Sequence, residues 1–365
     1  MNISSFREIP FNDLPPLPPT EDLETVPVLK AVTSASRALA ELKGRTHTLP
    51  NPAILINTIA LQEAKASSEI ENLFTTNDEL YRGLSLDDDP AVSAHTKEVL
   101  RYNDALWRGA ERLDERPVFS TNLFIEIVET IKRSNIGIRS QPGTKIANDA
   151  TGEVIYTPPE GEDVIREKLA NLEAFCNTFD DGLDPLVKMA VLHYQFEAIH
   201  PFYDGNGRTG RILLILYLRF TELLDQPILY LSRFIISHKS DYYRLLRGVT
   251  EERNWEAWLL YMLAAVESTA RETSGRIGAM NDLIESFLAE AKDQLSGRAY
   301  SKELIELLFV RPYCKIKFVE DAGIAKRVTA SRYLHELAER GFLTEHKSGT
   351  EILFINHRLL ELLSS

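Results

Sequence analysis

Cysteine is scarce in this chain of 365 residues: Cys176 and Cys314 are its only two. They lie far apart, so no metal-binding spacing and no disulfide framework can be drawn, which suits a reducing compartment. Basic excess is missing as well. With 41 Lys and Arg against 54 Asp and Glu, the formal net charge is -13, which excludes a protein that coats nucleic acid by bulk electrostatics. Long apolar runs are absent. Ile212 to Leu218, held between Arg211 and Arg219, falls far short of the roughly 20 residues a bilayer-spanning helix needs. No Gly-x-x-x-x-Gly-Lys-(Ser/Thr) segment occurs, which argues against a kinase or a P-loop nucleoside triphosphatase. The first residues, Met1 to Arg7, carry no apolar signal core, so the reading is cytoplasmic, with no membrane partner.

What is present is the make-up of an ordinary globular protein, 44% hydrophobic and 26% charged, long enough for two or three domains. The expected fold is mainly α. A helical core carries a β-hairpin flap, and a small C-terminal domain with the element order of a winged helix follows. Residues 1–95 read as an N-terminal arm and a helical region, 96–270 as the catalytic core, 271–298 as a helical linker and 299–365 as the winged-helix domain. The first thirty residues, with Leu14-Pro15-Pro16-Leu17-Pro18-Pro19, suggest an extended arm that lies on the body or serves as a docking strand. From Pro52 to about Arg82 the pattern is helical, with Ile54, Ile59, Ala64, Ile70 and Leu73 as core candidates. Two more helices fill 96–134, broken near Arg116-Pro117.

Helical periodicity then stops. Val154-Ile155-Tyr156 reads as a short strand, preceded by the turn signal Asp149-Ala150-Thr151-Gly152 and ended by Pro158-Pro159. Asp184-Pro185 opens a helix, with Asp as cap and Pro at the first position, and its apolar stripe runs to His200. A second, almost wholly apolar helix is expected over Arg211 to Leu224. Residues 255–295 are helical and increasingly polar, and they are expected to lead out of the main domain. In the tail, helices over Ser301–Phe309, Ile316–Ala322 and Thr329–Arg340 precede two strand-like stretches, Gly341-Phe342-Leu343 and Ile352-Leu353-Phe354.

The segment His200-Pro201-Phe202-Tyr203-Asp204-Gly205-Asn206-Gly207-Arg208-Thr209-Gly210-Arg211 concentrates chemistry between two helices. A glycine-rich turn at a helix N-terminus leaves backbone N–H groups unpaired, and with the helix dipole these form an anion site. Arg208 and Arg211 stand three residues apart on one face, and guanidinium groups grip phosphate oxygens in pairs. Asp204 is a hard carboxylate suited to Mg²⁺ beside phosphates. His200, with an ordinary pKa near 6.5, can take a proton from an attacking hydroxyl. Phe202 anchors the loop in the core. Base, metal ligand, anion cradle and phosphate clamps on one turn are what phosphoryl or nucleotidyl transfer requires.

This stretch resembles the signature of the Fic (Fic/Doc) family, His-x-Phe-x-(Asp/Glu)-Gly-Asn-Gly-Arg-x-x-Arg, at every specified position. Phe196-Glu197-Ala198-Ile199 before it, and Gly152 to Pro159 as a target-aligning flap, extend the likeness over about residues 50–270. The resemblance implies an adenylyltransferase that moves AMP from ATP to a Ser, Thr or Tyr hydroxyl of a target protein, or of itself. It implies His200 as general base and Asp204 as the Mg²⁺ ligand. Gly205, Asn206, Gly207, Thr209 and Gly210 would form the ATP-binding loop, and Arg208 and Arg211 would contact the β- and γ-phosphates. Tyr242 and Tyr243 resemble a pair that lines the adenine pocket, and core aromatics are the alternative. Val154, Ile155 and Tyr156 would dock the target by strand addition.

Ser67 and Glu71 lie four residues apart on one helical face, in itself a commonplace spacing. Beside the Fic loop, Ser67-Ser68-Glu69-Ile70-Glu71-Asn72 resembles the family's inhibitory helix, (Ser/Thr)-x-x-x-Glu-(Gly/Asn), with Ser67, Glu71 and Asn72 at its defined places. A carboxylate delivered to Arg211 would occupy the guanidinium meant for the γ-phosphate. Two rivals stay open. The enzyme could also remove AMP with Glu71 positioning water, or the domain could sense nucleotide for a winged-helix regulator that transfers nothing. In the tail Lys326, Arg327 and Arg332 are available to DNA phosphates, yet acidic residues nearly match the basic ones. Protein docking or homodimer formation weighs as much as DNA binding.

Overall fold

The computed structural model describes residues 7–86, 92–147, 151–295, 301–348 and 351–364. The proline-rich segment lies on the body and ends earlier than expected, because helix α1 begins at Val26 and runs to Thr46. Leu14, Leu17 and Leu23 are buried, and Asn171 brackets Leu17 with two hydrogen bonds, accepting from its N–H at 2.7 Å and donating to its carbonyl at 3.0 Å. The helical pattern after Pro52 divides into α2 (Ala53–Ile56), α3 (Ile59–Ile70) and α4 (Asn77–Ser85), with Ile54, Ile59, Ala64 and Ile70 in the core. Leu73, a core candidate, is only partly buried, because the chain turns out of α3 just before it.

Helices α5 (Ala94–Glu115) and α6 (Thr121–Lys132) follow, each capped by a serine hydroxyl, Ser93 and Ser120. Between them the chain breaks at Arg116-Pro117, as the proline dictates. Strands β1 (Ile146–Ala147) and β2 (Val154–Tyr156) pair antiparallel, Ile146 opposite Tyr156 and Ala147 opposite Val154. They form the expected hairpin, although Asp149 and Ala150 of its turn signal lie outside the described residues. Helix α7 (Glu162–Asn177) leads to the two central helices, α8 (Pro185–Ile199) and α9 (Asn206–Phe220). Asp184 caps α8, its Oδ1 accepting from Leu186 N–H at 2.8 Å. Helix α9 starts before Arg211 and stops before Leu224, so both arginines of the loop belong to its first turns.

Helices α10 (Leu231–Ser237) and α11 (Lys239–Glu252) precede α12, one unbroken helix from Trp255 to Gln294. In place of an excursion out of the main domain over 271–298, α12 packs along α1 in the most extensive helix pair among the described residues. Ile277, Met280, Ile284 and Phe287 are buried along its second half, which is why polar content alone misplaced it. The last domain comprises α13 (Lys302–Val310), β3 (Tyr313–Cys314), α14 (Ile316–Asp321), α15 (Arg327–Glu339), β4 (Thr344–Ser348), β5 (Glu351–Ile355) and α16 (His357–Ser364). Its sheet order is β3-β5-β4; β4 begins after the expected stretch 341–343, and β5 contains the expected 352–354. Gly349 and Thr350, at the hairpin tip, lie outside the described residues. The domain is docked on α4. Tyr313 stacks on Tyr81 with ring centres 5.7 Å apart, and its hydroxyl donates to Asp78 at 2.7 Å. Among the described residues, no helix is long and apolar enough to cross a membrane.

Candidate active site

The site forms where α8 ends and α9 begins. His200 closes α8 in the left-handed region, with φ 50 and ψ 59, a conformation that costs a non-glycine residue energy and reverses the chain into the loop. Two contacts hold the loop. Phe202 is fully buried, and the Asn206 side chain clamps its backbone, accepting from Phe202 N–H at 2.9 Å and donating to its carbonyl at 2.7 Å. The Asn206 amide is therefore committed to loop shape. Gly205, at φ 84, precedes the first turn of α9, and no side chain caps that turn. The first N–H groups of α9 consequently have no intrahelical acceptor, the condition for an anion site. Thr209 is buried and Gly210 backs onto Glu197 and His193, so these two shape the turn from behind.

Burial drives the His200 pKa down to about 4, and the Arg139 guanidinium adds to the effect, while the Glu71 charge, a hydrogen bond to the Glu197 backbone and the Asp204 charge oppose it. The imidazole is thus neutral and proton-accepting at physiological pH. Asp204 is well exposed, its side chain 61% accessible, and meets Lys132 Nζ at 2.5 Å and Arg208 Nη2 at 3.7 Å. Burial raises its pKa, but Lys132 and Arg208 outweigh this and hold the carboxyl below its usual range. Arg208 also meets Glu98 of α5 at 2.5 Å, and Lys132 of α6 reaches the same carboxylate at 2.8 Å. Glu98 and Lys132 thus join the loop's charge network, and neither belongs to the sequence motif.

A single ionised carboxylate open to solvent beside an anion cradle fits Mg²⁺, which commonly takes one or two protein carboxylates and completes its shell with phosphate oxygens and water. Among the described residues, no cluster of three or more His, Cys, Asp or Glu exists that could cage a metal alone. The donor set therefore suits a metal that arrives with a phosphorylated ligand, and Lys132 is its competitor at Asp204.

Arg211 is nearly inaccessible, and its Nε and Nη2 are both engaged. Its Nε donates to Ser67 Oγ at 2.7 Å, and its Nη2 donates to the Ser67 carbonyl at 2.9 Å and to Glu71 Oε1 at 2.8 Å. Burial raises the Glu71 pKa, but the Arg211 charge prevails and keeps it ionised. Ser67 lies within α3, and Glu71 is the residue that ends it. Asn72 follows in the left-handed region at φ 59, where Asn or Gly is favoured, and Leu73 N–H returns to the Ser68 carbonyl at 3.0 Å. Glu63 anchors the same helix, accepting from Ser232 N–H at 2.8 Å and Tyr102 hydroxyl at 3.1 Å. Lys239 Nζ holds its end through the Ile70 carbonyl at 2.6 Å. Glu71 Oε1 lies so close over Gly207 that any side chain there would overlap it. The carboxylate thus occupies the approach to the N-terminal turn of α9.

Tyr242 and Tyr243 differ in their surroundings. Tyr242 is buried, its hydroxyl 2.8 Å from His193 Nε2 and its ring among Trp258 and Tyr261. Tyr243 packs edge-on against it at 5.1 Å and is 46% exposed, so of the two it is the more accessible ring. Val154, Ile155 and Tyr156 form β2, and the Tyr156 hydroxyl ties the flap to α8 through the Ala198 carbonyl at 2.8 Å. Arg139, absent from the sequence reading, binds both the end of α8 and the end of the flap. Its only advance signal is a lone arginine in a segment with no helical pattern.

Known proteins with these features are recognisable. The Fic/DOC family N-terminal profile matches residues 29–111 and the Fic/DOC family profile residues 119–218. The profile of the C-terminal domain of SoFic-like protein adenylyltransferases matches residues 283–359. Protein adenylyltransferase fic-1 of Caenorhabditis briggsae is 42% identical over 60 residues, which is 16% of this chain and 12% of that protein. A probable protein adenylyltransferase of Aquifex aeolicus (strain VF5), aq_aa38, is 59% identical over 32 residues, 9% of this chain and 10% of that protein. The matching segment thus spans about a tenth of each curated relative. A Fic family protein from Desulfovibrio desulfuricans G20 shares the fold over 91% of this chain and 96% of its own, at 20% identity and a TM-score of 0.57. Fic-1 of Caenorhabditis elegans, residues 134–508, covers 70% of this chain and 75% of its own at a TM-score of 0.52 and 20% identity.

Proposed function

For a chain that carries Fic/DOC-family domains across both the inhibitory-type helix and the loop, we propose protein adenylyl transfer, restrained by Glu71. The reaction moves AMP from ATP to a Ser, Thr or Tyr hydroxyl of a target protein or of the chain itself. The target oxygen attacks the α-phosphorus and its proton passes to His200. The bond from the α-phosphorus to the bridging oxygen then breaks, and pyrophosphate leaves with the electron pair. The N-terminal turn of α9 binds the phosphates, Arg208 steadies the β-phosphate and Arg211 the γ-phosphate. When bound at Asp204, Mg²⁺ supplies charge neutralisation between phosphates. Tyr243 offers a ring for the adenine, and the β2 edge at Ile155 offers backbone to an extended target segment.

The observation that carries this reading is the capture of Arg211 Nε and Nη2 by Ser67 and Glu71, with the Glu71 carboxylate set over Gly207. A site built to accept a terminal phosphate is held by the chain's own anion. Its release would turn the transferase on, and the displacing signal would have to pull Glu71 off Arg211. The nearness of Glu71 to His200 favours a second reading, in which the same carboxylate orients water to remove AMP. The test is label position: Glu71→Gly protein with Mg²⁺ and ATP should retain covalent label from the α-phosphate and none from the γ-phosphate. Retention of γ-label, or of none at all despite ATP binding, would overturn transfer of AMP. Release of AMP from labelled protein by wild type and not by Glu71→Gly would establish the second reading.

A further inference from the structure

Arg139 is buried to 1% exposure, yet it has no ion-pair partner among the described residues. Its guanidinium is spent on backbone carbonyls instead. Nε donates to His200 O at 2.7 Å, and Nη2 donates to Ile199 O at 3.2 Å and also to Pro159 O. Its own N–H donates to Pro201 O at 2.9 Å. Four acceptors on two separate segments thus converge on one residue. Ile199, His200 and Pro201 carry the chain through the left-handed turn that presents the base, and Pro159 lies three residues past the flap strand. A cation at a helix C-terminus satisfies carbonyls that the helix leaves unpaired. Here it also helps offset the cost of His200 at φ 50, since the carbonyls of Ile199 and His200 both accept from the one guanidinium.

We infer that Arg139 is a positioning residue that fixes the His200 backbone and the end of the target-docking flap as one rigid unit. The inference rests on the adenylyl-transfer reading for its purpose, but its geometry stands without it. The unit sets the distance between the base and the strand on which a target segment would lie. A base on α8 and a flap that closes a separate loop have no covalent reason to keep register, and the Arg139 clip supplies one. The Tyr156 hydroxyl bond to Ala198 O is a second strut of the same unit. A consequence for the base follows, since the Arg139 charge acts on His200 together with the charges of Glu71 of α3 and Asp204 of the loop and a hydrogen bond to the Glu197 backbone.

The test uses the full chain and two readouts that need no transfer activity. The His200 imidazole is titrated by NMR, and amide hydrogen exchange is followed over residues 151–159. In Arg139→Gln the imidazole should titrate higher by roughly one pH unit, and flap exchange should rise about tenfold or more. Arg139→Lys keeps the charge but lacks the planar fork, so its imidazole should titrate near wild type while the flap still exchanges faster. ATP affinity in the Glu71→Gly background should stay unchanged in both variants, because the α9 turn is not part of the clip. Unaltered flap exchange in Arg139→Lys would overturn the inference, and so would an unaltered His200 titration in a folded Arg139→Gln. If Arg139→Gln does not fold, flap exchange in Arg139→Lys alone decides. Failure of Glu71→Gly to transfer AMP would sink the functional reading and leave these results standing.

Discussion

Glu71 Oε1 and Arg211 Nη2 meet at 2.8 Å, joining the end of α3 to the first turns of α9 across 140 residues of sequence. The pair is not a surface ornament, since Arg211 is 1% exposed and its Nε and Nη2 also donate to Ser67. Removing the carboxylate frees a charged donor at a helix N-terminus, which is the strongest kind of phosphate partner available there.

Glu71→Gly should therefore bind ATP about tenfold or more tightly than wild type, as the gain of one charge-assisted hydrogen bond implies. ADP, which lacks the γ-phosphate, should gain far less. Calorimetric titration of both nucleotides gives the ratio. Equal gains for ATP and ADP would show that Glu71 does not guard the terminal phosphate.

His200→Ala in the Glu71→Gly background should cut transfer by about 10²–10⁴-fold, the usual worth of a placed base. The ATP dissociation constant should hold within about threefold, since no phosphate contact is lost. With the base titrating at about 4 through burial, the rate should keep its plateau well below pH 6. Glu71 pushes the imidazole up, so its removal extends the plateau further still. A rate that halves near pH 6.5 would mean an unperturbed histidine.

Glu197, beneath Gly210, has Oε1 shielded from water and without a hydrogen-bond partner among the described residues, and burial lifts its pKa to about 7. Above its unfolded pKa of about 4.5 the folded state holds this proton more tightly than the unfolded state, so stability falls as pH rises from 4.5 to 7. Glu197→Gln removes that penalty. It should be more stable than wild type at pH 8, by roughly 1–3 kcal/mol, and the gap should close toward pH 4.5. Urea midpoints at the two pH values check the sign. A gap that widens on acidification would refute the assignment.

Lys132 holds Asp204 Oδ2 in an ion pair at 2.5 Å, on the carboxylate that a metal would need. Lys132→Met should lower the Mg²⁺ concentration for half-maximal labelling in the Glu71→Gly background by about threefold to tenfold. Chelation with EDTA should abolish labelling in both. An unchanged Mg²⁺ requirement would place the metal away from Asp204.

Much of this site was legible because its parts lie close in sequence. The turn from His200 to Arg211, the Asp184-Pro185 helix start and the short strand at Val154 all follow from local rules of turns, caps and strand composition. The Ser67–Glu71 spacing was legible only beside the loop, since a carboxylate four residues from a serine is an ordinary helix surface until its partner is known. Arg139 and Glu98 were silent because their roles depend on contacts 61 and 110 residues away. Helix α12 was misread as a departure from the body because a long helix that packs on α1 along one face keeps many charges on the other. The two residues of β3 are too few for any pattern and exist only through pairing with β5.

Intact mass of wild type and Glu71→Gly after incubation with Mg²⁺ and ATP tests the central claim most directly. The account predicts a gain of one AMP that is larger in Glu71→Gly and disappears when His200→Ala is added. Equal labelling of wild type and Glu71→Gly would contradict it, because Glu71 would then hold Arg211 without restraining the reaction.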